Sequence, residues 1–154
     1  MMQEQSKKVV PVSDYFDDDF IAGEKRPLIP TGIYRAQCIS VKQIKYYGEA
    51  RLRLVFKILE GESMDVELDM FLNLTDSKGK KFRVVPKASN YYKAWVIAND
   101  CCVPSRHDRM SPSKFLNGIF RVHVRDARPR NSDGSKMPEG LNYSVIGYLI
   151  KREI

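Results

Sequence analysis

Arg51, Arg53 and Lys57 occupy one parity of the run Arg-Leu-Arg-Leu-Val-Phe-Lys-Ile-Leu-Glu, residues 51–60. Side chains on a strand alternate between its two faces. Leu52, Leu54, Phe56 and Ile58 therefore share a core side, and the three cations share the other side with Val55. Cations two residues apart repeat at about 6.8 Å, close to the phosphate spacing of an extended single strand of nucleic acid. A second run repeats the design, with Phe120, Val122 and Val124 on one side and Arg121, His123 and Arg125 on the other. Lys45, Lys80, Lys81, Arg128 and Arg130 would extend a phosphate track, and Tyr46, Tyr47 and Phe71 are candidates for base stacking. The competing account is an ordinary solvated strand face, its cations answered by Glu67 and Asp69.

Catalytic patterns are scarce. The chain has no phosphate-cradling glycine loop, no Gly-x-Ser-x-Gly and no Cys-x-x-Cys. Cys101, Cys102, His107 and Asp108 could be drawn as a zinc set, but adjacent cysteines are poor co-ligands and no second pair exists. A magnesium-dependent nuclease would need a cluster of acids. Asp17–Asp19 lie in an arm, and Glu67 and Asp69 lie among cations. The sequence thus predicts a binding protein, with no catalytic residue, metal or cofactor.

The 154 residues carry a net charge of +7, unevenly placed. Residues 1–30 hold four Lys/Arg against six Asp/Glu, and the remainder holds twenty-two against thirteen. A basic body behind an acidic arm suits a polyanionic partner. Cys38, Cys101 and Cys102 cannot all pair, and reduced thiols are the simplest account. No apolar run approaches the ~20 residues of a membrane helix, and residues 1–12 lack a signal-peptide core. The expectation is a cytoplasmic protein with no membrane partner.

The elements that must position these residues follow in order. Residues 1–26 read as an acidic arm containing Asp14-Tyr15-Phe16-Asp17-Asp18-Asp19-Phe20, four acids among three aromatics, suited to docking on a basic surface or on a partner protein. Residues 27–154 read as the domain. Gly32–Tyr47 is a long strand whose phase blurs near Ser40, the sign of a bulge. The 51–60 strand follows, then a hairpin at Gly61, then a strand over 65–74 with Val66, Leu68 and Met70 inward. Ser89 caps a helix reaching Ala98 or Asn99, with Tyr91, Trp95 and Ala98 on its core side. Ser111-Pro112 opens a short helix that Gly118 stops. The 120–125 strand, a long polar loop over 127–141 and an apolar strand over 142–151, partly covered on both faces, complete the chain.

Strand, strand, strand, helix, strand, strand is the element order of an OB-fold, a five-stranded Greek-key barrel in an otherwise all-β domain, its one main helix between strands three and four. A two-sheet sandwich with a helical insertion would show the same alternation. Residues 29–34 (Ile-Pro-Thr-Gly-Ile-Tyr), 54–58 followed by Gly61, 70–74 (Met-Phe-Leu-Asn-Leu) and 141–146 resemble phage- and mobile-element-encoded proteins similar to single-stranded-DNA-binding proteins, over about residues 26–150. That resemblance implies an OB-fold, single-stranded DNA as ligand with RNA as an alternative, and a role in replication or recombination. Many such proteins end in an acidic, phenylalanine-tipped tail, whereas this chain ends Lys-Arg-Glu-Ile. Asp14–Phe20 has similar chemistry at the opposite end, where it could engage replication or recombination proteins. A homo-oligomer is compatible with the sequence. The reading from another class is a protein–protein adaptor on the same scaffold.

Overall fold

The computed structural model describes residues 26–46, 48–130 and 135–154, with the backbone alone at Tyr46 and Glu139. Among these residues five strands and one α-helix form, in the order β1 (Gly32–Tyr46), β2 (Glu49–Ile58), β3 (Glu67–Asn73), α1 (Asn90–Ala98), β4 (Ile119–Ala127) and β5 (Tyr143–Arg152). The strands make one antiparallel sheet ordered β3-β2-β1-β4-β5. Its edges, β3 and β5, lie against one another without pairing, so the sheet is open.

β1 organises the sheet because it is long enough to pair twice. Ala36–Tyr46 pairs with β2, and Gly32–Gln37 pairs with β4. Within the β2-paired stretch, just past its overlap with the β4 pairing, the register slips from Cys38 to Ser40, which leaves Ile39 as the extra residue. The bulge exchanges the strand's faces, as the blurred phase predicts: Ala36 and Cys38 are inward before it and Val41 after it. Gly48, at a φ of 81° in the β1–β2 turn, takes a left-handed conformation that favours glycine.

Alternation sets the core. Leu52, Leu54, Phe56 and Ile58 of β2 are buried, as are Leu68, Met70 and Leu72 of β3 and Phe120, Val122 and Val124 of β4. Ala36 stands opposite both Ile58 and Phe120. Its small side chain is flanked by Phe56 and Phe120, which meet edge to face with centroids 6.0 Å apart. Gly118 is required by the same packing, since a Cβ there would lie 2.7 Å from the Phe120 ring.

The helix rests on both edge strands, β5 and β3. The Ser89 hydroxyl accepts the Tyr92 N–H at its start, and Tyr91, Ala94, Trp95 and Ala98 form the buried face at helical spacing. The Tyr91 hydroxyl donates to the Met110 carbonyl and the Trp95 indole N–H to that of Ser111, tying the irregular 99–111 segment to α1. Burial raises the Tyr91 hydroxyl pKa well above its ordinary value. The short helix predicted at Pro112 is a single 3-10 turn, Pro112–Lys114.

Ahead of β1 the chain is already anchored at Pro27, whose carbonyl accepts the Ser144 N–H. Ile29 is buried and exchanges hydrogen bonds with the Ser144 hydroxyl. The acidic segment Asp14–Phe20 lies outside the described residues. β5 is not covered on both faces throughout, because Tyr148 is 55% exposed. Register shifts on either side of Val122–His123 break the alternation of β5 and turn that ring outward. No helix among the described residues is long and apolar enough to cross a membrane.

Candidate nucleic-acid interface

The outward positions of the five strands form one continuous face. On β1, β2 and β3 the register aligns Lys42, Arg53 and Phe71 in one row and Ile44, Arg51 and Asn73 in the next. On β1, β4 and β5 it aligns Arg35, Arg121 and Lys151, then Ile33, His123 and Tyr148. The two cationic runs meet at Gln37, which stands opposite both Lys57 and Ile119. From there they diverge. The β2 run follows β1 towards its C-terminus, and the β4 run follows it towards its N-terminus. They lie end to end on a diagonal, in contrast to the side-by-side ladders that alternation alone suggests. Along β1 the path from Ile44 to Gly32 is about 40 Å.

Several of these cations have carboxylate partners. Arg53 donates twice to Asp69 on β3, at 3.0 and 3.2 Å, the cross-strand answer expected from the sequence. Lys57 reaches Asp65 at 3.6 Å in place of Glu67, and Arg51 lies 3.8 Å from Glu49. Glu153, just beyond β5, joins two arginines that face each other across strands. It accepts from Arg35 at 2.6 Å and from Arg121 at 3.0 Å. Like charges directly opposed are destabilising, and Glu153 offsets that repulsion. The face nevertheless stays cationic. Arg35, Lys42, Arg51, Arg53, Lys57, Arg121, Arg125 and Lys151 outnumber Glu49, Asp65, Glu67, Asp69 and Glu153.

The hydrogen bonds from Arg35, and then from Arg121, hold the Glu153 carboxyl below its ordinary range. A carboxyl with a lowered folded pKa contributes stability that is present above its unfolded value, about 4.3, and lost as pH falls through the folded value. Thermal unfolding of the parent chain should therefore show an acid-side loss between pH 5 and pH 3 that is smaller in Glu153→Gln. Equal slopes in the two proteins would remove Glu153 from the acid response.

The remaining site residues fall into four groups. Phe71 is 43% exposed on β3, directly opposite Arg53. Lys45 and Lys80 are exposed, and the Lys81 ammonium donates to Gln43, tying the loop after β3 to β1. Asp76 shapes that loop by accepting the backbone N–H groups of Lys78 and Lys80. Near the end of β4 the Arg125 guanidinium donates to the Asp126 carbonyl, and in the following loop Arg128 donates to the Met137 carbonyl while the backbones of Arg130 and Lys136 pair. Tyr47 and the Tyr46 side chain lie outside the described residues.

Trp95 is 7% exposed and belongs to the core, as the helical stripe predicts. The imagined zinc set is dispersed in its bonding. Cys101 and Cys102 are exposed, His107 Nδ1 bonds the Val85 carbonyl, and Asp108 is held by Arg106 at 2.6 Å, which lowers its carboxyl pKa. No group of three or more His, Cys, Asp or Glu able to hold a metal gathers among the described residues. Cys38 is buried, and desolvation pushes its thiol up to about 11, so it stays protonated at neutral pH.

Sequence reasoning missed Arg35, Lys42 and Lys151 as members of the face, and the stacked pair His123–Tyr148, centroids 4.8 Å apart with ring planes 5° from parallel. Lys42 was within reach, because a bulge near Ser40 places it on the outward parity. Tyr148 was not, because its direction depends on register shifts. No protein-family model matches the chain, and no curated protein is significantly similar to it. What fold and site define together is a mostly β domain presenting a cationic sheet face with an exposed ring.

Proposed function

We propose that this chain binds single-stranded nucleic acid, DNA before RNA, with little sequence preference and without catalysis. The observation that carries the reading is Phe71, an exposed ring in one row with Lys42 and Arg53. A ring beside phosphate-spaced cations is the arrangement on which unpaired bases stack while their backbone is neutralised. Strand order β3-β2-β1-β4-β5, with the helix between β3 and β4 in sequence and resting on both sheet edges, fits an OB-fold whose β3–β5 seam is left unpaired. The β1–β2 turn and the β4–β5 loop, which carry Tyr46, Tyr47, Arg128 and Arg130, then border the groove. In this reading the chain serves replication or recombination of a phage or mobile element.

The test is binding of a fluorescent oligo-dT at several salt concentrations. Affinity should fall steeply with salt, and each phosphate contact removed by substitution should shrink the log–log slope by roughly 0.7. A flat salt response, or equal affinity for duplex of the same phosphate content, overturns the reading. The adaptor reading draws on one observation, the exposed apolar surface at Leu28, Ile33 and Tyr148, and it expects no oligonucleotide binding.

A further inference from the structure

We propose that the outward surface formed by the start of β1, β4 and β5 is a docking site for the chain's own acidic–aromatic segment, Asp14–Phe20. Ile33, His123 and Tyr148 make one row of this surface, and Ile33 and Tyr148 are 57% and 55% exposed. Cations flank the row on both sides. Arg35, Arg121 and Lys151 stand on one side, and Arg125, with its stem lying over Gly147, on the other. An apolar strip between cations complements a segment of three aromatics and four acids. Within the strip, His123 Nδ1 is buried and has no hydrogen-bond partner among the described residues. A buried polar atom left unpaired is costly, and a carboxyl, hydroxyl or backbone group of the segment would supply the partner.

The point of entry favours this surface. The Arg26 guanidinium lies 4.2 Å over the Tyr143 ring, and Pro27 bonds Ser144, so the described chain begins beside the first residues of β5. Tyr143 alternates with the buried Ser144, which puts Arg26 on the outward side. Phe20 is six residues from Arg26 and can lie up to about 20 Å away. His123 is four positions along β4 from Ala127, the partner of Tyr143, or about 13 Å. The segment can therefore cover the row in cis. The Phe71 surface is a poorer host, because Glu67 and Asp69 on β3 would repel the segment.

The docking does not depend on nucleic acid, so its test is run without any. The full chain carries a photoreactive benzophenone amino acid in place of Phe16, is irradiated at low concentration, and is mapped by mass spectrometry. Cross-links within one chain, concentrated in residues 28–35 and 143–152, are the expected result. Their yield should fall at least fivefold in Arg125→Glu/Lys151→Glu and recover when Asp17→Lys, Asp18→Lys and Asp19→Lys are added. In the otherwise unaltered chain, a tenfold rise in salt should lower the yield by screening. Cross-links centred on residues 67–74, cross-links spread without preference, links between two copies, or none at all would overturn the proposal. The oligonucleotide titration is unaffected by any of these outcomes, so the two readings fail separately.

Discussion

Phe120→Ala is expected to destabilise the fold by about 3–5 kcal/mol, the usual cost of deleting a fully buried phenylalanine. The site offers little room for recovery. Phe120 has no exposed surface, its ring meets Phe56 edge to face, and the Arg152 guanidinium lies 5.4 Å from its centroid. Gly118 is packed so closely against the ring that even a methyl group would clash. The ring also sits where the two halves of the sheet meet, opposite Ala36, which β1 presents to both β2 and β4. A cavity there would loosen both pairings of β1 together. Against a typical domain stability of about 5–15 kcal/mol, the melting temperature should fall by roughly 10–20 °C, while Phe120→Leu falls much less. A loss below about 1 kcal/mol for the alanine variant would show that the junction can collapse, and that β1 does not couple the halves as described.

The parts of this fold that the sequence made legible are those set by local period. β2 and β4 alternate cleanly because each buries one side, so Leu52–Ile58 and Phe120–Val124 declared their inward residues and, by parity, their outward cations. The Ser89 cap, the helical stripe through Trp95 and the bulge in β1 were visible for the same reason. Long-range relations were not. Alternation says which side a residue faces, but not which strand lies next to it. The end-to-end course of the two cationic runs depends on β1 pairing twice. Glu153 could not be assigned as the partner of Arg35, because 118 residues separate them and only the sheet brings them together. Arg53 and Asp69 were legible as a pair because they come from consecutive strands of a hairpin. In β5 an almost unbroken apolar run hid register shifts and gave no hint that Tyr148 points out over His123.

Phe71→Ala is expected to weaken single-strand binding by about five- to 150-fold, the equivalent of ~1–3 kcal/mol for one lost base–aromatic stack. The ring is exposed and β3 is an edge strand, so the folded domain should lose less than about 1 kcal/mol. Binding and stability thus separate at this residue, whereas at Phe120 any binding defect would follow from unfolding. The salt response separates stacking from charge. Phe71→Ala should leave the slope of affinity against salt unchanged, because a base stack releases no counterion, while Lys42→Ala should reduce it by roughly 0.7. Arg53→Ala alone would be a poor comparison, since it leaves the Asp69 carboxylate unanswered beside the incoming phosphates. Arg53→Ala/Asp69→Ala holds the local charge constant and reports the net worth of the pair. If Phe71→Ala binds oligo-dT as the parent does, stacking on β3 is excluded. Any affinity would then come from phosphate contacts along the diagonal of cations, and the salt slope of the Lys42→Ala and Arg53→Ala/Asp69→Ala chains would say how many of them count.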